Sequence, residues 1–379
     1  MANGIANRVL DSVEELLDPA LLSEAAGETI TGVSRRRLSA DFAHSGSELH
    51  LLECETGGAA GPPAGPGVEA PRFVLKRLAL EWDWLMRITE DDRCRSVALW
   101  EQGLFDRLLP EIDPCVVGCA RDREGWAILM RDVGQFMVTN RGFSEVQNRR
   151  FLEAMAAMHA EFFEDPAPTA PEVGLSELRH VYEMFAPRTA LRKDAGSGDI
   201  LNRIQEGWKT VRTLCPGEVV DAVGPLLEDA TPLVEALQQY PRTLVHGDFR
   251  HSNLAVLPAG FAGGPERTAL LDWQLAVYAP VSVELGRYIG ANSPFLPGSK
   301  EALLSHYRDA LAGRLGSRFS EEWWLPQLEL GLLGGFVQDG WAIALKATTW
   351  QVGEAYREHW LADLEWWAER VRAGVRWLV

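Results

Sequence analysis

The chain has 379 residues, of which 46% are hydrophobic and 24% charged, so it is long enough for one two-lobed enzyme or for two or three domains. A formal net charge of −17 argues against binding to nucleic acids or anionic membranes, because both need basic surfaces; it is compatible with a cationic substrate, but acidity also serves solubility alone. No apolar run approaches the roughly 18 residues of a membrane span, and the N-terminus has no basic region followed by an apolar core, so a cytoplasmic protein is predicted.

The first hundred residues are predicted to combine a helical segment with strands. Apolar residues recur at helical spacing over residues 3–26, where Pro19 interrupts the helix and a short second helix restarts at Leu21-Leu22. The pattern becomes strand-like from residue 29 to residue 55. Residues 57–71 consist almost entirely of Gly, Ala and Pro and cannot bury enough apolar surface to fold, so we predict a flexible hairpin loop there. The strand pattern resumes at Phe73–Leu78, where Lys76 lies within an apolar alternation and therefore needs a partner or a ligand.

A helix and two further strands are predicted next. Apolar residues at helical spacing predict a helix over residues 91–109 that contains Glu101, and two apolar runs predict strands at 116–117 and 126–130. Five scattered cysteines, without a partner pair at zinc spacing, predict buried free thiols rather than a disulfide framework or a metal site.

Beyond residue 131 the pattern is mainly helical. A capping box at Ser144–Gln147 begins a helix whose apolar stripe includes Phe151, Met155 and Met158. Further amphipathic segments predict helices within 175–240, 300–315, 320–350 and 354–379.

Two short apolar runs, Thr243–Val245 and Ala269–Leu271, are predicted to be buried strands that each lead to an acidic residue. Asp248 follows the first strand, Asp272 follows the second, and Asn253 comes five positions after Asp248. A carboxylate can accept a hydroxyl proton and orient the attacking oxygen, whereas an amide oxygen and a second carboxylate are ligands that Mg²⁺ prefers. The trio therefore predicts phosphoryl transfer; the alternative is three ordinary turn and capping residues.

The segment HGDFRHSN at residues 246–253 resembles the H-G-D-x-x-x-x-N loop of the aminoglycoside phosphotransferase and choline kinase-like family, and LLDWQ at 270–274 resembles its "IDWE" segment. In protein kinases an Arg occupies this position of the first motif. Gly247 in place of that Arg favours the small-molecule branch. The resemblance spans roughly residues 25 to 345. Where the family usually has an Asp after the second motif, this chain has Glu284.

The resemblance implies roles for residues near the phosphates. Lys76 would bind the α- and β-phosphates, and Glu101 would pair with Lys76. The alternatives are an edge-strand lysine that faces water and a solvated glutamate. The turn at residues 39–47 stands where a phosphate-covering loop belongs but lacks G-x-G-x-x-G, so Ser45 and Ser47 are the expected contacts. A plain hairpin turn is the alternative.

The resemblance also implies a nucleotide-binding hinge and a supported catalytic loop. Backbone groups of Leu129, Met130 and Arg131 would bind the adenine edge. His246 and Arg250 would support the loop around the catalytic Asp248, with Arg250 also neutralising developing charge.

Together these features predict an α+β, bilobal, protein-kinase-like fold with a nucleotide-binding lobe at 1–131 and a mainly helical catalytic lobe at 132–379. The predicted reaction is transfer of the γ-phosphate of ATP, or of GTP, with Mg²⁺, to a hydroxyl of a small molecule such as an aminoglycoside, amino alcohol, sugar or related compound. The alternatives are a non-catalytic nucleotide-binding regulator and a protein kinase; the latter is disfavoured because Asp272-Trp273-Gln274 lacks the Gly of D-F-G and no A-P-E follows. Substrate identity and oligomeric state are left open.

Overall fold

The structure, a computed structural model of the chain, describes residues 7–38, 45–57, 70–138, 142–192 and 198–378. The predicted loop at 57–71 and the predicted phosphate-covering turn at 39–47 lie largely outside these residues. The strands of the described residues are β1 (Ile30–Arg37), β2 (Glu48–Thr56), β3 (Arg72–Leu78), β4 (Ile112–Asp113), β5 (Val116–Asp122), β6 (Gly125–Arg131), β7 (Thr243–Val245), β8 (Leu254–Leu257), β9 (Arg267–Leu270) and β10 (Val277–Ala279).

Helices form most of the remainder. They are α1 (Val13–Leu16), α2 (Pro19–Ala26), α3 (Trp84–Ile88), α4 (Arg95–Glu101), α5 (Glu145–Glu161), α6 (Leu178–Glu183), α7 (Pro187–Ala190), α8 (Gly198–Leu214), α9 (Gly217–Glu228), α10 (Thr231–Gln238), α11 (Ser282–Asn292), α12 (Lys300–Leu315), α13 (Glu321–Ala347) and α14 (Arg357–Val375). Among the described residues, no helix combines the length and the apolar character that crossing a membrane requires.

The N-terminal part is an antiparallel sheet with strand order β1-β2-β3-β6-β5. Helices α1 and α2 pack on it through a small cluster of apolar residues that includes Leu16, Leu22 and Leu75. The C-terminal part is mainly helical, with the two short pairings β7–β10 and β8–β9 among its helices. The predicted α+β class, a small sheet region followed by a larger helical region, is confirmed. The division into two lobes between residues 131 and 132 stays a prediction.

The segment 3–26 contains two short helices with a break before Pro19, as predicted, and the second begins at Pro19 itself because the Asp18 carboxylate accepts a hydrogen bond from the amide of Ala20 at 2.7 Å. One predicted helix differs from the structure. The segment 91–109 is helical only over α4, followed by a 3₁₀ turn at Phe105–Arg107. Residues with positive φ flank α4, Cys94 at 58° and Gly103 at 69°, and they stop the helix at both ends.

Helices α11 and α13 cross at very close range, and this contact supports the candidate site. A Cβ atom added to Gly335 of α13 would lie 2.7 Å from the Cα of Gly286 in α11. Only glycine at both positions lets the two backbones approach this closely. The next residue of α11 is Arg287, whose side chain contacts Asp248 in the loop after β7.

Candidate active site

The loop after β7 turns sharply at Gly247, which has a φ of +80°. A Cβ atom at this position would lie 2.3 Å from the carbonyl oxygen of Leu275. The buried Glu284 anchors the loop. Its carboxylate accepts hydrogen bonds from the amide of His246 at 2.6 Å and from the amide of Gly247 at 3.1 Å. Glycine is therefore required next to Asp248, and the longer Glu284 reaches the loop backbone directly.

His246 joins the catalytic loop to the second motif. Its Nδ1 accepts a hydrogen bond from the amide of Asp248 at 3.2 Å, and its Nε2 donates to the carbonyl of Leu271 at 3.0 Å. Burial lowers the pKa of His246, so the ring is neutral and carries one proton, on Nε2. This geometry is consistent with the predicted supporting role.

Asp248 is buried, and both of its carboxylate oxygens have partners. Oδ1 accepts from Nε and Nη2 of Arg287 at 3.0 and 2.6 Å, and Oδ2 accepts from Nδ2 of Asn253 at 2.9 Å and lies 3.2 Å from Nε of Arg250. Burial would raise the pKa of Asp248, but the positive charges of Arg250 and Arg287 outweigh burial and hold the pKa well below its usual range. Asp248 is therefore charged, oriented, and only weakly basic.

Asn253 and Asp272 have the chemistry of a Mg²⁺ site. Asn253 uses its amide nitrogen on Asp248, and in the described part of the chain its oxygen accepts no hydrogen bond. Asp272 stands at a φ of 65°, with its side chain 32% exposed and one oxygen 2.9 Å from Nζ of Lys76. Within the described residues no group of three or more His, Cys, Asp or Glu could hold a metal ion, so a cation here would take its other ligands from phosphates and water, as Mg²⁺ commonly does.

Lys76 is buried at the centre of the N-terminal sheet but does not pair with Glu101. Its Nζ donates to Oε1 of Gln274 at 2.8 Å and forms an ion pair with Oδ1 of Asp272 at 2.9 Å. Gln274 in turn donates from Nε2 to the buried Asp83 at 3.2 Å. The predicted Lys76–Glu101 ion pair is wrong, because Glu101 ends the short helix α4 with its side chain exposed on the protein surface.

Ser45 and Ser47 lie beside this buried network. The hydroxyl of Ser45 donates to Oδ2 of Asp83 at 2.9 Å and is 3.2 Å from the hydroxyl of Ser47. Burial raises the pKa of Asp83, and the nearby charge of Lys76 opposes that rise. The serines are thus tied to the Lys76 network, and their contact with phosphates stays a prediction.

The predicted hinge residues Leu129, Met130 and Arg131 form the end of strand β6, which lies between β3 and β5. The amide of Arg131 donates to the carbonyl of Cys115 at 2.9 Å, and its side chain contacts the buried Asp113 at 2.6 Å. That amide is therefore not available to a nucleotide. Binding of the adenine edge by the remaining backbone groups of this segment stays a prediction.

Sequence reasoning missed the partners that come from distant parts of the chain. Arg287 contacts both Asp248 and Asp339, and it lay unnoticed three residues after a recognised motif position, Glu284. Asp83 had a local signal, since its carboxylate accepts from the amides of Leu85 and Met86 as a helix N-cap, but nothing marked it as a neighbour of the lysine.

The arrangement brings together an oriented carboxylate, two oxygen ligands suited to Mg²⁺, and a buried lysine. Asp248 contacts Asn253 within the first motif, and Asp272 of the second motif contacts Lys76 of β3, so the four side chains form two pairs. Such a set can orient a hydroxyl group, hold a metal–phosphate complex and neutralise phosphate charge, which are the requirements of phosphoryl transfer.

Comparison with family models matches residues 129–318 to APH, described as the phosphotransferase enzyme family. The match covers half of the chain and includes Asp248, Asn253 and Asp272. Comparison of the sequence with curated proteins gives no match.

Several solved structures are similar over almost the whole chain. Ethanolamine kinase from Plasmodium vivax is 9% identical with a TM-score of 0.46, covering 93% of this chain and 84% of that one. Choline kinase LicA from Streptococcus pneumoniae is 14% identical with a TM-score of 0.43, covering 93% and 98%. Spectinomycin phosphotransferase in complex with ADP and spectinomycin is 11% identical with a TM-score of 0.43, covering 94% and 98%. At this level of similarity the neighbours say nothing about the substrate of this chain.

Proposed function

The chain belongs to the phosphotransferase enzyme family and is a phosphotransferase with a hydroxyl acceptor, and from this premise we propose that it transfers the γ-phosphate of ATP, with Mg²⁺, to a small molecule. The observation that carries the proposal is the pairing of Asp248 with Asn253 and of Asp272 with Lys76 on two motifs that the contact between His246 and the carbonyl of Leu271 holds together. Residues 1–131 would contribute the nucleotide-binding lobe and residues 132–379 the catalytic lobe.

Asp248 positions the acceptor hydroxyl. Because its pKa is held low, it acts mainly by accepting a hydrogen bond from the hydroxyl, and it takes the proton late, once the new oxygen–phosphorus bond has made that proton acidic. Arg287 fixes the carboxylate through two hydrogen bonds, and Arg250, whose side chain is 31% exposed, is free to turn toward a transferring phosphoryl group.

Asn253 and Asp272 would hold Mg²⁺, which when bound neutralises the phosphate oxygens and keeps them in line with the acceptor. Lys76 exchanges its contact with Asp272 for the α- and β-phosphates while Gln274 keeps its ammonium group in place. Ser45 and Ser47 would adjoin the phosphates from the opposite side.

A turnover screen with Mg-ATP and Mg-GTP tests this function, using Asp248→Asn as the matched control. Asparagine keeps the volume of the side chain and an oxygen for Arg287, whereas alanine would leave two arginines without their buried partner. We expect Asp248→Asn to lower turnover by about 10²–10⁴-fold with nucleotide affinity nearly unchanged. Unchanged turnover in this variant contradicts the mechanism, and nucleotide binding without turnover of any acceptor points to a regulator instead.

A further inference from the structure

The acceptor side of Asp248 carries an excess of positive charge. Asp248 and Asp339 are the two carboxylates there, and both are bound by the same guanidinium group, that of Arg287. Arg250 adds a second cation beside Asp248. Lys346 adds a third cation. It lies close enough to Arg287, Arg250 and Asp339 for its ammonium group to interact electrostatically with all three.

Lys346 is held in place without being neutralised. It stands in the last turn of α13, with Nζ 4.4 Å from the ring centroid of Trp360 in α14. In the described ranges it forms no ion pair, and its side chain is half-buried rather than extended into solvent. A cation–π contact orients an ammonium group but leaves its charge available to an anion.

The spacing of these groups along α13 places them on one side of the helix. Asp339 and Lys346 are seven residues apart and therefore lie on the same face, about 10 Å apart along the helix axis. Asp339 pairs with Arg287, which also pairs with Asp248, so Lys346 lies on the face of α13 that is linked to Asp248.

We propose that the acceptor is a hydroxylated small molecule with an anionic group, a carboxylate or a phosphate ester, which binds Lys346 while its hydroxyl faces Asp248. This inference rests on the proposed kinase function and narrows its substrate class. A polyamine such as an aminoglycoside would have to place its ammonium groups among Arg250, Arg287 and Lys346, where Asp339 already pairs with Arg287 through Oδ1 and offers only its buried Oδ2. The overall charge of −17 is thus opposite in sign to that of the acceptor site.

The test compares acceptors that share a scaffold and differ only in charge. Hexoses, polyols and nucleosides are each supplied in neutral, amine, carboxylate and phosphate-ester forms, and ADP release, acceptor binding and Mg-nucleotide binding are measured on the full chain. We expect the anionic forms to be turned over or bound best, and the carboxylate and phosphate arms to identify which anion is used. A preference for amine or neutral forms, or no anionic form bound at all, overturns the inference. Loss of Mg-nucleotide binding instead overturns the proposed function itself.

Variants at Lys346 separate a binding role from a structural one. Lys346→Met keeps the apolar stem over Trp360 and removes the charge, and we expect it to weaken the anionic acceptor about tenfold, as for loss of one hydrogen bond to a charged group. Lys346→Arg is expected to retain the preference. Lys209→Met removes an exposed lysine of α8 and serves as the matched control with no effect. An unchanged anion preference in a folded Lys346→Met protein contradicts the proposal.

Discussion

Gln274 occupies the position of the glutamate in the "IDWE" segment that the second motif resembles. Its side chain connects Lys76 to Asp83. A neutral amide can accept from the lysine and donate to the aspartate at once, whereas a carboxylate could do only the first. Gln274 therefore orients Lys76 without adding a further negative charge beside the phosphate site.

We predict that Gln274→Ala raises the KM for nucleotide by about 5- to 30-fold, because Lys76 loses a buried hydrogen bond worth about 1–2 kcal/mol. Steady-state kinetics at saturating acceptor measures the change. Glu101→Ala is the comparison, since Glu101 is exposed and apart from Lys76, and its KM is expected to match that of the unmodified protein. A larger effect at Glu101 than at Gln274 would restore the ion pair predicted from sequence.

The charge on Lys346 makes acceptor binding depend on pH. Burial, with help from Arg287 and Arg250 and against Asp339, lowers the pKa of Lys346 from 10.5 to about 8. The ammonium form is present below that pH, so we predict that the KM for an anionic acceptor rises as the pH increases through about 8. The pKa of Lys346 is lower in the folded protein than in the unfolded chain. The free energy of unfolding is therefore expected to increase as the pH rises from about 8 toward 10.5, because the folded protein no longer has to bury a charged ammonium group. A pH profile that is flat for Lys346→Arg and steep for the unmodified protein supports the assignment; equal profiles contradict it.

Local motifs predicted Asp248, Asn253 and Asp272, because their spacing is contained in two short loops. Their partners could not be predicted in the same way. Arg287 contacts Asp248 across 39 positions, and Lys76 contacts Gln274 across 198, so only the folded chain pairs them. The incorrect choice of Glu101 came from assuming that the helix after β3 presents its glutamate inward.

At the scale of elements, the crossing of α11 and α13 determines where Arg287 stands. Gly286 and Gly335 provide the close approach, and Arg287 follows directly in the chain. A side chain in this contact has to push the two helices apart, which moves the guanidinium away from Asp248.

We predict that Gly335→Ala lowers the free energy of unfolding by about 1–3 kcal/mol, as for overpacking of a core, and lowers turnover as well. Urea denaturation and acceptor kinetics measure the two effects. Gly313→Ala in α12 is the matched control: an added Cβ meets nothing within 4 Å, so alanine is expected to stabilise that helix by up to about 1 kcal/mol. Equal stability of the two variants would contradict the close-contact interpretation.

Elements with strong local signals were predicted well. The capping box at Ser144 is present at the start of α5, with the Ser144 hydroxyl and the Gln147 side chain bonded reciprocally to the backbone. The helix predicted over residues 91–109 is longer than the observed one. The positive φ of Cys94 is a tertiary effect, which apolar periodicity does not report.

At the scale of the whole molecule, one apolar cluster extends from Ile128 in the sheet to Trp273 beside the second motif and to Trp367 in α14. The sheet and the helices thus share a core through the candidate site. All five cysteines are free and buried, as the scattered spacing predicted.

We predict that no thiol reacts with Ellman's reagent in the native protein, and that all five react after denaturation. Burial raises the pKa of each thiol, that of Cys215 to about 11, so almost no thiolate is present at neutral pH. The labelling rate is expected to follow unfolding as urea is increased. Rapid reaction of one thiol in native buffer would contradict the described packing.

The contact between Lys76 and Asp272 has a consequence for the order in which ligands enter. An ammonium group already lies 2.9 Å from the Asp272 carboxylate, so a divalent cation that bound Asp272 alone would have to displace a buried positive charge, which would keep only its hydrogen bond to Gln274. In the proposed function, a nucleotide would offer that ammonium a replacement partner in its phosphates. We therefore expect metal and nucleotide to enter as one complex, and free metal ions to bind poorly in the absence of nucleotide.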